Sequence, residues 1–357
     1  MYIYLMKALK VFVFNIWLFL YNINVKIILG DNMNDEFKID EINVNKDIKI
    51  LFMGTPEFAV PVLEGLIKNY KVKAVVTQPD KKVGREQQIV ATPIKKVAND
   101  NVILVLQPEN IKSYIEDIND LEVDLIVTCA YGQLVPEEIL NKAKLGAINV
   151  HASLLPKLRG GAPIHRAIIN GHSKTGITIM KMNKRLDAGD IISQKEIEIT
   201  NDDTASTLHD KLSVLGKELL LETLPTIINN TATYTKQDDS EATVAPNITR
   251  NDERLDFSKS KKQIYDKIRG LNSWPLAYCK IDSKVLKVYS AYTTTNYFSN
   301  VYDGEITAIY EDGFGVKVTN GEVVITEVKL EGKEKMSALE FARGYENKGG
   351  LVGKILA

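Results

Sequence analysis

At 357 residues, with 45% hydrophobic and 25% charged side chains, the chain is long enough for two globular domains and too apolar for a disordered protein. A formal net charge of -1 excludes whole-molecule attraction to a polyanion, so any nucleic-acid contact must come from a local patch. The only cysteines, Cys129 and Cys279, are far apart, which argues against a disulfide framework or a thiolate zinc site. With no His and Cys at ligand spacing, no metal is expected, and a reducing cytoplasm fits.

The first thirty residues are apolar but interrupted by Lys7, Lys10, Asn15, Asn22, Asn24 and Lys26. A spanning helix needs about twenty predominantly apolar residues, and a secretory signal needs a small-residue cleavage site that is not found. Residues 1–47 are therefore read as an N-terminal extension, with translation expected to start at Met33. A membrane anchor is the alternative.

Residues 48–53 read as a buried strand, Gly54-Thr55-Pro56 opens a turn, and residues 59–68 form an amphipathic helix with proline near its start. A single glycine after the first strand is not a dinucleotide fingerprint. Residues 72–77 predict a second strand and 92–98 a helix. Between them, residues 78–91 make a long charged loop containing Arg85, and long loops in compact domains tend to be functional or disordered. A strand at 103–106 and a helix through 118 lead to residues 124–132, an apolar run typical of a strand buried on both faces. It ends in Ala130-Tyr131-Gly132. The alternation predicts an α/β fold, a Rossmann-like, mostly parallel sheet with helices on both faces.

Residues 146–161 begin as another buried strand but carry Asn149 and His151. Side chains alternate along a strand, so these two share one face while Ile148 and Val150 share the other. Ligands of open α/β sheets sit at the carboxyl ends of the strands, which places this polar pair for chemistry. A helix at 163–170, a strand at 175–182, a loop at 184–190 holding Asp187, a strand at 194–199 and a long helix at 204–228 complete a domain spanning 48–228. Residues 229–246 are polar and poor in large apolar groups, as an interdomain linker is. A second domain, 247–357, opens with a helix at 258–271. Short alternating strands follow, punctuated by Asp303-Gly304, Asp312-Gly313 and Asn320-Gly321 turns. Lys259, Lys261, Lys262, Lys267 and Arg269 along its helix form either a polyanion-facing surface or a plain solvated face.

Asn149-Val150-His151 followed by Ser153-Leu154-Leu155-Pro156 resembles the signature of the folate-dependent formyltransferases. The continuation through Arg159-Gly160-Gly161-Ala162-Pro163, with Leu186-Asp187-Ala188-Gly189-Asp190-Ile191, resembles most the members that act on methionyl-tRNA. The likeness covers about residues 48–355. It implies a C-terminal OB-type β-barrel, 10-formyltetrahydrofolate as formyl donor, methionyl-initiator-tRNA as acceptor, and a cytoplasmic monomer without a DNA partner. It also implies Asn149, His151 and Asp187 as catalytic residues, and Ser153, Leu154, Leu155, Pro156, Ala130, Tyr131 and Gly132 around the folate. Arg85 matches an arginine implied to meet the tRNA acceptor end, although Glu86-Gln87-Gln88 stands where the family often has a glycine and lysines.

Formyl transfer to an amine passes through a tetrahedral oxyanion, which needs preorganised donors, and it moves a proton from the attacking to the leaving nitrogen. An amide, an imidazole and a carboxylate supply these functions, and a carboxylate beside an imidazole favours the imidazolium. Ser153 has no dedicated base and is not read as a nucleophile. Formyltransferases of amino-sugar nucleotides or glycinamide ribonucleotide, formyltetrahydrofolate hydrolases, and a non-catalytic RNA-binding relative remain alternatives.

Overall fold

In the computed structural model, which describes residues 47–84 and 86–357, the chain opens on β1 (Lys49–Gly54), α1 (Val60–Asn69) and β2 (Lys71–Val76). There follow β3 (Lys81–Val83), β4 (Gln88–Val90), α2 (Pro93–Asp100), β5 (Leu104–Leu106), α3 (Ile115–Asn119), β6 (Leu125–Cys129), α4 (Glu137–Leu140) and β7 (Ala147–His151). The first half ends with α5 (Pro163–Ile169), β8 (Lys174–Lys181), β9 (Ile191–Glu198) and the long α6 (Ala205–Ile228). The N-terminal extension and the expected start at Met33 lie, apart from Asp47, outside the described residues. Among the described residues no helix is long and apolar enough to cross a membrane.

Seven strands pair in the order β5-β2-β1-β6-β7-β8-β9, parallel from β5 to β7 and antiparallel from β7 to β9. The alternation of strand side chains explains the two layers of helices. Ile50 and Phe52 of β1 share a core with Val62 and Leu66 of α1 and Leu212 and Leu220 of α6. Leu51 and Met53 share the opposite core with Ile118 of α3 and Ile139 of α4. Each such burial contributes on the order of 1.5–3 kcal/mol. The Rossmann-like expectation is thus met, with an antiparallel edge. The chain leaves β1 outward to β2 and β5, then returns to β6 and β7 on the other side, so a switch point lies between β1 and β6.

Residues 78–91, expected as a loop, contain the antiparallel hairpin of β3 and β4. Pairing satisfies main-chain groups that a charged loop would leave to water. Its base is anchored by Asp80, which accepts from Lys95 Nζ at 2.6 Å and Gln107 Nε2 at 2.7 Å.

The second half comprises α7 (Arg250–Glu253), α8 (Lys261–Gly270), β10 (Ala277–Ile281), β11 (Lys284–Thr293), β12 (Ile306–Ile309), β13 (Phe314–Val318), β14 (Gly321–Leu330), β15 (Met336–Ser337) and α9 (Ala338–Arg343). Its antiparallel sheet runs β10-β11-β14-β13-β12, with β15 beside β14. Residues 353–357 bridge the outer strands: Ala357 exchanges two main-chain hydrogen bonds with Lys280 of β10, while Gly353 and Lys354 bond to Ile306 of β12. The sheet therefore curls into the OB-type barrel expected, around Phe314, Val316, Ile325 and Phe341.

The two halves are tied by buried polar groups. Arg269 of α8, 6% exposed, donates to the Thr200 and Asp203 carbonyls at 2.9 and 2.7 Å and pairs with Asp266. His165 of α5 donates to the Gly270 carbonyl at 2.8 Å, and Arg166 pairs with Asp252, whose carboxyl it holds well below the usual range. The basic segment of α8 is accordingly not one solvated face. Lys267, half-buried, donates to Arg254 O, and burial lowers its pKa; Lys262 is paired with Asp266. Residues 229–246, read as a linker, lie along the first half, with Thr235 bridged to Ile191 and Val244 to Arg159.

Asp203 sits at the start of α6 with a side chain only 3% exposed. Burial alone would raise its pKa, but Lys211, the Thr200 amide and the Thr207 and Thr200 hydroxyls outweigh it and hold the carboxyl at about 2. A folded-state pKa below the ordinary 3.8 means stability present above pH about 4 and lost as pH falls toward about 2. Urea unfolding should show Asp203→Asn less stable by about 2 kcal/mol at pH 7, with the gap closing between pH about 4 and about 2. A gap unchanged across that window would remove this carboxylate from the account.

Candidate active site

Strand β7 carries Ile148 and Val150 into the core beneath α6, which turns Asn149 and His151 to the opposite face at the strand's carboxyl end. The Thr128 hydroxyl of neighbouring β6 donates to Asn149 Oδ1 at 2.8 Å. The Asn149 amide nitrogen is thereby oriented away from that bond and has no protein partner among the described residues. His151 is 5% exposed, and its Nε2 lies 3.1 Å from the Leu158 carbonyl. A carbonyl only accepts, so Nε2 carries the hydrogen. The other ring nitrogen, Nδ1, faces Asp187 Oδ2 at 3.7 Å, an ion-pair distance longer than a hydrogen bond.

Two loops hold this geometry. After His151, Thr178 of β8 donates to the Ser153 carbonyl at 2.6 Å and accepts from the Leu155 amide at 3.1 Å, while Gln194 of β9 donates to the Leu155 carbonyl at 2.8 Å. Ser153 is fully buried and its hydroxyl donates to Lys157 O at 2.6 Å, so no base activates it. Leu155 is also buried, whereas Leu154 and Pro156 are partly exposed. In the second loop Asp187 adopts φ +48°, a left-handed conformation that aspartate tolerates better than most residues. Its carboxylate accepts from the Gly160 amide at 2.8 Å. Gly189 is required there, because a Cβ would fall 1.7 Å from the Lys181 carbonyl oxygen.

Ala130, Tyr131 and Gly132 follow β6 at the switch point. Ala130 and Gly132 are exposed, while Tyr131 is buried and its carbonyl accepts from Thr55 Oγ1 at 3.0 Å and Gln78 Nε2 at 3.3 Å. Burial pushes the Tyr131 phenol up to about 12. The loops after β1, β2 and β6 therefore meet beside the β7 pair. Arg85 lies outside the described residues. Among the described residues no group of three His, Cys, Asp or Glu is arranged to hold a metal ion.

The structure thus brings Asn149, His151 and Asp187 together, and adds Thr128, Thr178, Gln194 and Gln237, which sequence reasoning missed. Thr128 and Thr178 were visible as hydroxyls in buried strands, a signal of an internal partner. Gln237 sits in a polar stretch and carries no local signal. An unpaired amide donor, a buried imidazole and a largely covered carboxylate at one strand end can stabilise an oxyanion and relay a proton.

A family model described as formyl transferase matches residues 47–224, and one described as formyl transferase, C-terminal domain, matches residues 247–346. A methionyl-tRNA formyltransferase of Staphylococcus epidermidis is 49% identical over 311 residues, covering 86% of this chain and 99% of that protein. Another from Staphylococcus aureus is 50% identical over 312 residues, with the same coverage of 86% and 99%. Among solved structures, a sugar 3N-formyl transferase in the presence of dTDP and 5-N-formyl-THF shares the fold. It has a TM-score of 0.60 and 23% identity, over 80% of this chain and 99% of its own. With both family models in order along the sequence and relatives of this identity matched over almost their full length, the chain belongs to the formyl transferase family, on its methionyl-tRNA formyltransferase branch.

Proposed function

We propose that this chain transfers the formyl group of 10-formyltetrahydrofolate to the α-amino group of methionine carried on initiator tRNA, as a cytoplasmic monomer, using Asn149, His151 and Asp187. The observation that carries the reading is the convergence of a free amide donor, an imidazole and a carboxylate where β7 ends. The reaction forms a bond from the amine nitrogen to the formyl carbon and breaks the bond from that carbon to the folate nitrogen. One proton leaves the attacking nitrogen and one reaches the departing nitrogen.

In this reading Asn149 Nδ2 donates to the oxyanion, a role worth about 10²- to 10³-fold, and His151 acts through Nδ1, the ring nitrogen not held by the Leu158 carbonyl. Asp187 accepts the amine proton through water and faces His151 electrostatically, and such acid-base work contributes on the order of 10²- to 10⁴-fold. Thr128 holds Asn149 with its donor end toward the reacting carbon. The exposed backbone at Ala130 and Gly132 and the partly exposed Leu154 and Pro156 offer a surface for the folate, with Ser153, Leu155 and Tyr131 supporting it from within. Arg85, between β3 and β4 in sequence, is assigned to the tRNA acceptor end, and the anchored hairpin base at Asp80 gives that segment a fixed origin.

Supplying 10-formyltetrahydrofolate with charged initiator tRNA, an amino-sugar nucleotide and glycinamide ribonucleotide in parallel should give product only with the tRNA. Turnover of either small substrate at a comparable rate would reassign the acceptor. His151→Ala and Asp187→Ala are expected to lose about 10²-fold or more in kcat with circular dichroism unchanged. Near-normal transfer by either would overturn its assignment. Thr128→Val leaves the Asn149 amide oxygen without its donor, and kcat should fall about tenfold, by less than outright loss of an oxyanion donor. Arg85→Ala should raise KM for tRNA and leave folate binding unchanged, as read by fluorescence titration.

A further inference from the structure

Asp187 holds a left-handed backbone conformation, φ +48°, which is uncommon for a residue with a Cβ and is stabilised here by its surroundings. The surroundings come from the polar stretch between the two halves. Gln237 is 7% exposed, and its amide nitrogen donates to the Asp187 carbonyl at 3.0 Å and the Gly189 carbonyl at 2.7 Å. Its amide oxygen accepts from Arg159 Nε at 3.0 Å and Nη2 at 2.8 Å. Two donated and two accepted bonds fill the capacity of the group.

Arg159 in turn pairs with Asp239 at 2.9 Å, and its main chain is gripped by Thr243 O and Ala245 N. The next residue, Gly160, has φ +121°, and a Cβ there would fall 2.7 Å from Ala245 O, so its lack of a side chain lets the strap lie close. Gly160 N–H then reaches the Asp187 carboxylate at 2.8 Å. One connected set of bonds thus fixes both ends of Asp187, its carbonyl through Gln237 and its carboxylate through Gly160. We propose that residues 235–245 are a positioning strap and that Gln237 is a positioning residue that sets the aim of the Asp187 carboxylate at His151. This inference rests on the reading of Asp187 as catalytic.

Misplacing a reacting group by about 1 Å can cost about 10²-fold in rate. Gln237→Met, similar in size but without the amide, and Gln237→Glu, which keeps an acceptor for Arg159 but turns a carboxylate on two carbonyls, should each lower kcat about 10- to 100-fold. KM for both substrates should stay within about threefold, because the loss falls on the transition state rather than on binding. In an Asp187→Asn background, Gln237→Met should cost nothing further, since the group it aims is already gone. Asp187→Asn at the wild-type rate would defeat the catalytic reading itself. A slow Asp187→Asn beside wild-type rates for both Gln237 variants would defeat the positioning role alone, as would a full additional loss in the double variant. Should Gln237→Met not fold, Gln237→Glu, which retains the Arg159 pairing, carries the comparison.

Discussion

A carboxylate and an imidazole that face each other 3.7 Å apart, both largely withdrawn from water, set the terms for the rest of this molecule. Taking a carboxylate out of water is costly unless donors replace its hydration. At Asp187 the replacement includes a main-chain amide from a glycine that no other residue could substitute without displacing the strap. At His151 one ring nitrogen is committed to the Leu158 carbonyl, which fixes the ring and leaves the other nitrogen toward the acid. The pair is held in place by the protein's own groups, the kind of preorganisation that the proposed acid-base role requires.

That requirement propagates outward through main-chain contacts. The His151 loop is pinned from β8 and β9 by Thr178 and Gln194, and the Asp187 loop from residues 235–245 by Gln237. The antiparallel edge of the sheet sets where the second loop starts. Strand β8 runs back along β7 and ends beside Ile148, and the loop between β8 and β9 folds back from there so that Asp187 reaches His151 at the other end of β7. The union of the two halves depends on similar means. Arg269 satisfies carbonyls at the start of α6, so the charges of α8 that look available in the sequence are partly spent on the junction.

Much of this was legible beforehand because it rests on local rules. Apolar strand runs with helices between them announce a parallel sheet, Asn149 and His151 stand out against Ile148 and Val150, and aspartate-glycine and asparagine-glycine turns mark the second sheet. Two readings went differently in the structure, each for a physical reason. Residues 78–91 carry too few apolar groups to announce strands, yet β3 and β4 satisfy each other's main chain. Lys267 and Arg269 have the composition of a solvated face, but composition does not say whether a charge meets water or a carbonyl. Residues 229–246, read as a linker, are polar in part for the same reason. Gln237, Asp239 and Thr243 are polar because they bond to the protein.

Sequence alone determined the class of fold and the family and singled out the three side chains proposed to react, since periodicity and motif order depend on neighbours along the chain. Only the tertiary structure decided how those side chains are aimed. Asp187 is 36 positions beyond His151 and Gln237 a further 50, and no local preference links residues so separated. Their distances follow from sheet order and from which carbonyls a buried amide reaches, quantities that exist only once the chain has folded.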